Sequence, residues 1–186
     1  MELIDGIRGR RSVRAYLPDA VERSEIEALI NAAVLAPSAV NQQLWGFLVI
    51  RDRALLTRYS DDIKPRVLAT LAHSALPPSF AETLRDPGYH IFHEAPALVV
   101  IYATSEDPFA SIDCCLAAEN LMLAAHARGL GSCWIGLSQG FFDDEAMKPG
   151  VGVPPQWHAV APIVLGHPRE SPAAPPRRKP EVIWRG

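Results

Sequence analysis

The sequence predicts an α+β domain in which strands are wrapped by helices, and three observations carry that reading. Helical and extended segments alternate, yet regularly spaced βαβ units are too few for a doubly wound sheet. No G-x-G-x-x-G turn opens a helix, so a dinucleotide-binding fold is not the natural choice. The extended runs are short and β-branched, Ala97 to Ala103 (ALVVIYA) being the clearest, and they read as core strands. A chain of 186 residues suffices for one domain with one sizeable core and is too short for two full-sized ones. The domain is read as residues 1–186.

Leu3, Ile4 and Ile7 fit a short first helix ending near Gly9, after which Val13 to Leu17 is extended and Pro18 breaks the chain. Ser24 and Glu27 have the capping-box form, and Ile26, Leu29, Ile30, Ala33 and Val34 recur at helical spacing until Pro37. A polar loop, Pro37 to Gln43, then leads into a buried strand over Gly46 to Ile50. Asp52 can cap a helix through Tyr59, and Arg66 to Ala72 is helical in composition. Prolines at 65, 77, 78 and 87 make this middle third read as irregular helix and loop. The stretch from Pro108 to Arg128 has no internal proline or glycine, is rich in Ala and Leu, and ends at Gly129 in a plausible C′ position. It reads as a long, largely buried helix. Ser132 to Leu137 and His158 to Leu165 are the remaining strand candidates. Residues from about 167 to 186, with five prolines and a basic excess, form an extended C-terminal arm, frayed or docked.

A net charge of −3 makes the whole chain a poor electrostatic partner for nucleic acid or an anionic membrane, so neither is expected as a partner. The apolar windows at Ala97 to Ala103 and Leu121 to Ala127 are too short to span a bilayer, and no export signal is visible, so a cytoplasmic protein is expected. Three cysteines, Cys114, Cys115 and Cys133, offer neither a disulfide framework nor a zinc spacing and read as buried thiols. The six histidines include no H-x-x-x-H arrangement, so no catalytic metal is expected. The absence of a G-x-S-x-G elbow and of a P-loop disfavours hydrolases.

Three constellations remain. Arg8, Arg10, Arg11, Ser12 and Arg14 place guanidinium forks and a hydroxyl beside a helix end, which suits a phosphate monoester, although on these residues alone such a charge run is more often a solvated basic face. Ala36 to Trp45 packs amides and a hydroxyl between a helix and a strand. Asn and Gln there suit the edge of a heteroaromatic ring, whereas Ser38 and Asn41 also suit a turn that satisfies its own backbone. In Gly129-Leu-Gly-Ser-Cys-Trp-Ile-Gly136, Gly129 reads as a helix cap and Gly136 as a place where a flat ligand can lie against backbone.

Together and in this order these segments resemble the nitroreductase family of FMN-dependent oxidoreductases. The matching runs are Arg10-Arg11-Ser12-Val13-Arg14, Ala36 to Trp45 with Leu44 where the family has proline, Gly129 to Gly136, and Val164-Leu-Gly-His-Pro168. The resemblance implies a mainly antiparallel sheet in an arm-exchanged homodimer with two FMN molecules at the interface. Arg10, Arg11 and Ser12 would hold the phosphate and ribityl groups, and Arg14 would stabilise charge at the pyrimidine end of the ring. Pro37, Ser38, Asn41 and Gln43 would come from the other subunit. Trp134, Ile135 and Gly136 would line the ring, and Arg178 would close on the phosphate, with Arg177 and Lys179 as neighbouring choices. It also implies NAD(P)H as donor, a nitroaromatic or quinone-like acceptor and ping-pong turnover, with no side chain needed as acid or nucleophile. Other flavin chemistry on the same fold, or a non-catalytic flavin-binding module, would use the same cofactor residues. The middle third between Arg51 and Ala97 is compressed relative to longer members. His90, Phe92 and His93 there read as packing residues, with flavin contact as the alternative.

Overall fold

The computed structural model describes residues 2–73 and 76–186. At its centre is a four-stranded antiparallel sheet in the order β1-β2-β4-β3: β1 (Trp45–Ile50), β2 (Ala97–Ala103), β3 (Gly131–Trp134) and β4 (His158–Gly166). Every residue of β2 is buried, because both faces of the sheet are covered, and this is why its sequence is a continuous apolar run. Val99 and Ile101 face one cluster with helices α2 (Arg23–Ala33) and α5 (Pro108–Ala127). Leu98, Val100 and Tyr102 face a second cluster with α3 (Arg53–Thr70) and α6 (Gln139–Asp143). Pro162 sits within β4 opposite Val100. It has no N–H to give, but its carbonyl accepts from Ile135 at 2.8 Å, just beyond β3.

Helix α1 (Leu3–Gly9), β1, β2, α5 and β4 match the sequence reading, and Gly129 takes a φ of +75° past the end of α5. Other expectations are corrected. The capping box of α2 lies two residues earlier, where the Glu22 N–H donates to the Glu25 carboxylate at 3.2 Å; Glu27 instead pairs with Arg23 at 2.7 Å. Helix α3 is one continuous element with Pro65 inside it, capped at Asp52, whose carboxylate accepts from the Leu55 N–H at 3.0 Å. Burial of Leu56, Tyr59 and Ile63 on one side outweighs the single hydrogen bond that Pro65 cannot make. Strand β3 stops at Trp134, and the chain turns through Gly136–Ser138 into α6; α4 (Phe80–Arg85) and α6 are too short to announce themselves by periodicity.

Helix α5 is buried on one side only: Phe109, Ile112 and Leu116 remain open, as do Leu3, Ile4 and Ile7 of α1. Cys115 shares this open side and is exposed, unlike Cys114 and Cys133. At 20 residues α5 is also long and apolar enough to cross a membrane by length and composition, a longer apolar run than the sequence windows indicated. Its packing against the sheet and α2 accounts for that composition within the fold. The arm docks first through an isolated bridge between Tyr16 and Pro168 and through the Arg169 N–H to Ala15 carbonyl bond of 2.9 Å. Beyond these contacts it runs without helix or strand.

Candidate functional site

After α1 the chain turns extended and lies beside β3, where Ser12 bridges Ser132 and the Val13 N–H donates to the Ser132 carbonyl at 3.0 Å. The approach is close because residue 131 is glycine: a Cβ there would sit 2.9 Å from three atoms of the buried Val13 side chain. With Val13 pinned inward, the residues on either side are turned to the surface. Arg10, Arg11, Ser12 and Arg14 line a cleft of about 490 Å³, whose other wall is the arm, at Pro172, Ala173, Pro175 and Arg177.

Arg10 is fixed by a forked contact from Nη2 to both carboxylate oxygens of Glu119, at 3.0 and 3.2 Å, and its Nε–H is buried without an acceptor among the described residues. Arg11 is held by the carbonyls of Arg8 and Arg10. Arg14 is exposed and makes no hydrogen bond or ion pair among the described residues. It also lines an adjoining cleft of about 310 Å³ with Tyr16, Tyr89, His90, His93 and Arg169. Burial, then the Arg14 charge and His90, push the His93 imidazole down to about 4, so it is neutral at ordinary pH. Burial likewise raises the Tyr89 hydroxyl, against the pull of Arg14.

The loop after α2 has an unusual backbone. Val40, Asn41 and Gln43 have φ of +43°, +59° and +55°, the left-handed region that non-glycine residues rarely enter. Ser38 Oγ accepts from the Gln43 N–H at 3.1 Å, Asn41 Oδ1 accepts from Gln43 Nε2 at 3.1 Å, and the Ala39 N–H donates to the Asp113 carboxylate at 3.2 and 3.1 Å. Pro37, Asn41 and Gln43 are exposed, and neither cleft of this one chain is lined by them or by Ser38. Trp134 is half-buried, Ile135 is buried and Gly136 is exposed, with nothing within 4 Å of where its Cβ would be; these three also lie outside the walls of both clefts. From the arm, Arg177 and not Arg178 lines the Arg10 cleft.

The structure adds Glu119, Asp113, Tyr89 and Arg169 to the site, and of the three middle-third residues read as packing it places His90 and His93 on the Arg14 cleft and Phe92 in the core. Two of the added residues had a signal in the sequence: Asp113 and Glu119 are the only acidic residues in the mostly apolar Pro108–Ala127 helix. Thiol chemistry has no support here, since burial pushes Cys114 up to about 12 and also raises Cys115 and Cys133.

The profile of the nitroreductase family matches residues 7–167. The chain belongs to the nitroreductase family. Among its relatives in that family is a protein of Archaeoglobus fulgidus whose provisional name pairs NADH dehydrogenase with NAD(P)H nitroreductase. It is 30% identical over 174 residues, covering 91% of this chain and 87% of that one. A 5,6-dimethylbenzimidazole synthase of Rhodospirillum rubrum is 29% identical over 177 residues, covering 87% and 79%. A Bacteroides fragilis nitroreductase solved with bound FMN superposes with a TM-score of 0.80 at 27% identity, over 97% of this chain and 95% of that one. Likeness to the last confirms the α+β nitroreductase fold.

Proposed function

We propose that the chain is an FMN-dependent oxidoreductase that takes hydride from NAD(P)H and passes electrons to a small nitroaromatic or quinone-like acceptor. The observation that carries this reading is the Arg10 cleft. A guanidinium there is anchored at one nitrogen by Glu119 and holds a second donor buried and without an acceptor among the described residues. Such a donor is costly to leave without an acceptor, and a phosphate oxygen would supply one. The residues therefore fit FMN, with Arg10, Arg11 and Ser12 holding the phosphate and ribityl chain and Arg177, or its neighbour Arg178, closing from the arm. When bound, FMN supplies a hydride acceptor at N5. Arg14, which makes no hydrogen bond or ion pair among the described residues, places positive charge at the pyrimidine end, and neutral His93 beside it adds no second charge. Trp134, Ile135 and Gly136, outside the walls of both clefts, would line the ring, and the open space at Gly136 would admit a flat ligand. Donor and acceptor use one cleft in turn, which makes turnover ping-pong.

Pro37, Ser38, Asn41 and Gln43 stand apart from the Arg10 cleft of their own chain, and the family resemblance assigns them to the site of a second copy. The open apolar side chains of α1 and α5, together with Val182, Ile183 and Trp184 of the arm, supply the surface for a homodimer. We assign the protein to the cytoplasm, with no nucleic-acid or membrane partner.

A second reading, a different flavin chemistry on the same residues, is favoured by likeness to the 5,6-dimethylbenzimidazole synthase. The test is a visible absorption spectrum of the purified protein, repeated anaerobically after NADPH and then NADH. A flavin band that bleaches on donor addition supports the oxidoreductase. A bound flavin that neither donor reduces favours the second reading or a non-catalytic module, and a protein that cannot be reconstituted with FMN overturns both.

A further inference from the structure

We infer that Asp113 is a positioning residue, clamping the Ser38–Gln43 loop in the shape that meets the flavin of a partner copy; this rests on the proposal that the loop contributes to that site. Asp113 lies on α5, in the core, and is 4% exposed. A carboxylate is placed there only if something compensates its lost hydration. No cation pairs with it among the described residues, and its hydrogen bonds come from one group, the Ala39 N–H, which reaches both oxygens at 3.2 and 3.1 Å.

Ala39 opens the 3-10 turn Ala39–Asn41, immediately before the left-handed residues. Val40 is β-branched and 88% exposed, so neither its own preference nor packing within the chain holds its φ of +43°. The turn's own bonds, from the Asn41 and Gln42 N–H groups to the Ser38 and Ala39 carbonyls at 3.0 Å each, close it locally, and side chains fix it at its two ends. Ser38 Oγ does so through the Gln43 N–H at one end, and Asp113 does so through Ala39 at the other. The loop thus presents Asn41 and Gln43 outward on a fixed backbone, which lowers the entropy cost of meeting a ligand. Glu119, the other carboxylate of α5, plays the same part for Arg10. One core helix therefore sets both halves of a site that, in a dimer, come from different copies.

The test compares Asp113→Ala and Asp113→Asn with wild type, and with Met122→Ala, a core truncation on the same helix away from the loop. Hydrogen exchange in the FMN-free protein reads the amides of Ala39, Asn41, Gln42 and Gln43, and flavin fluorescence reads the FMN dissociation constant. Loss of a charge-assisted hydrogen bond predicts, for Asp113→Ala, faster exchange at all four amides and a dissociation constant raised about 10- to 100-fold. Asp113→Asn, isosteric and still an acceptor, falls between the two and serves if the alanine variant does not fold. Met122→Ala lowers stability and changes neither readout. Unchanged exchange in both Asp113 variants, or equal effects from Met122→Ala, overturns the clamp. Faster exchange with unchanged FMN affinity overturns the link to the flavin while leaving the functional reading standing. A wild-type protein that takes up no FMN overturns the functional reading, and the exchange data then decide the clamp alone.

Discussion

Substituting Gly131 by alanine tests how the Arg10–Arg14 turn is held in place. The added Cβ would lie 2.9 Å from Val13 Cβ, Cγ1 and Cγ2, against the roughly 3.5–4.0 Å of ordinary carbon contact. Val13 is buried and cannot swing into solvent, so the segment must move away from β3 by about 0.6–1 Å. That shift stretches the 3.0 Å bond from the Val13 N–H to Ser132 past useful length. Overpacking costs about 1–3 kcal/mol and the weakened bond about 1 more, offset by about 0.4–1 kcal/mol from the stiffer unfolded chain. A net loss of about 2 kcal/mol lowers Tm by about 4–8 °C in a domain of this size. Thermal unfolding should be followed by circular dichroism at fixed protein and FMN concentrations, since ligand shifts Tm by mass action. Because Ser12 and Arg14 flank Val13, FMN affinity should fall as well. Adding Val13→Ala removes two of the three clashing atoms, so the double variant should recover part of the loss, with a coupling above about 0.5 kcal/mol. An unchanged Tm for Gly131→Ala, or strictly additive effects in the pair, refutes the close-approach argument.

Three further outcomes follow from the site. Arg14→Ala should lower FMN affinity or the anaerobic rate of flavin reduction by donor about tenfold, the worth of one charge-assisted hydrogen bond, and stopped-flow absorbance reads both. His93 is held below its unfolded pKa, so between about pH 6.5 and 4 the unfolded chain binds a proton that the folded one does not, and stability falls as pH drops through that window. Partial exposure limits this to about 1 kcal/mol; His93→Gln should flatten the Tm-versus-pH curve there, and a slope identical to wild type would exclude His93 as its source. Deleting the arm after Glu170 removes Pro172, Ala173, Pro175 and Arg177 from the Arg10 cleft, yet leaves every strand intact. The shortened protein should unfold cooperatively but bind FMN at least tenfold more weakly, as isothermal titration would show.

Local pattern carried much of the architecture. The β-branched run Ala97 to Ala103, the proline-free stretch after Pro108 and the glycine at 129 each specify backbone through short-range sterics, so strand, helix and cap were legible in order. The order of R-R-S-V-R, A-P-S-A-V-N-Q-Q and G-L-G-S-C-W-I-G was likewise enough to recognise the family. What lay beyond the sequence depended on groups far apart along it. Pro65 argued for a break in α3, and only the packing of the helix, through Tyr59, on Phe141 and Phe142 of α6 showed why it continues. Asp113 and Glu119 were visible as two charges in an apolar helix, but their partners, Ala39 and Arg10, lie 74 and 109 residues away. Residue types and periodicity determined the first and the core elements, α1, β1, β2, α5 and β4, and which family the chain joins. Tertiary packing alone decided which arginine is anchored, which loop is clamped and which faces stay open, because those depend on desolvation and contacts between segments that no local rule brings together.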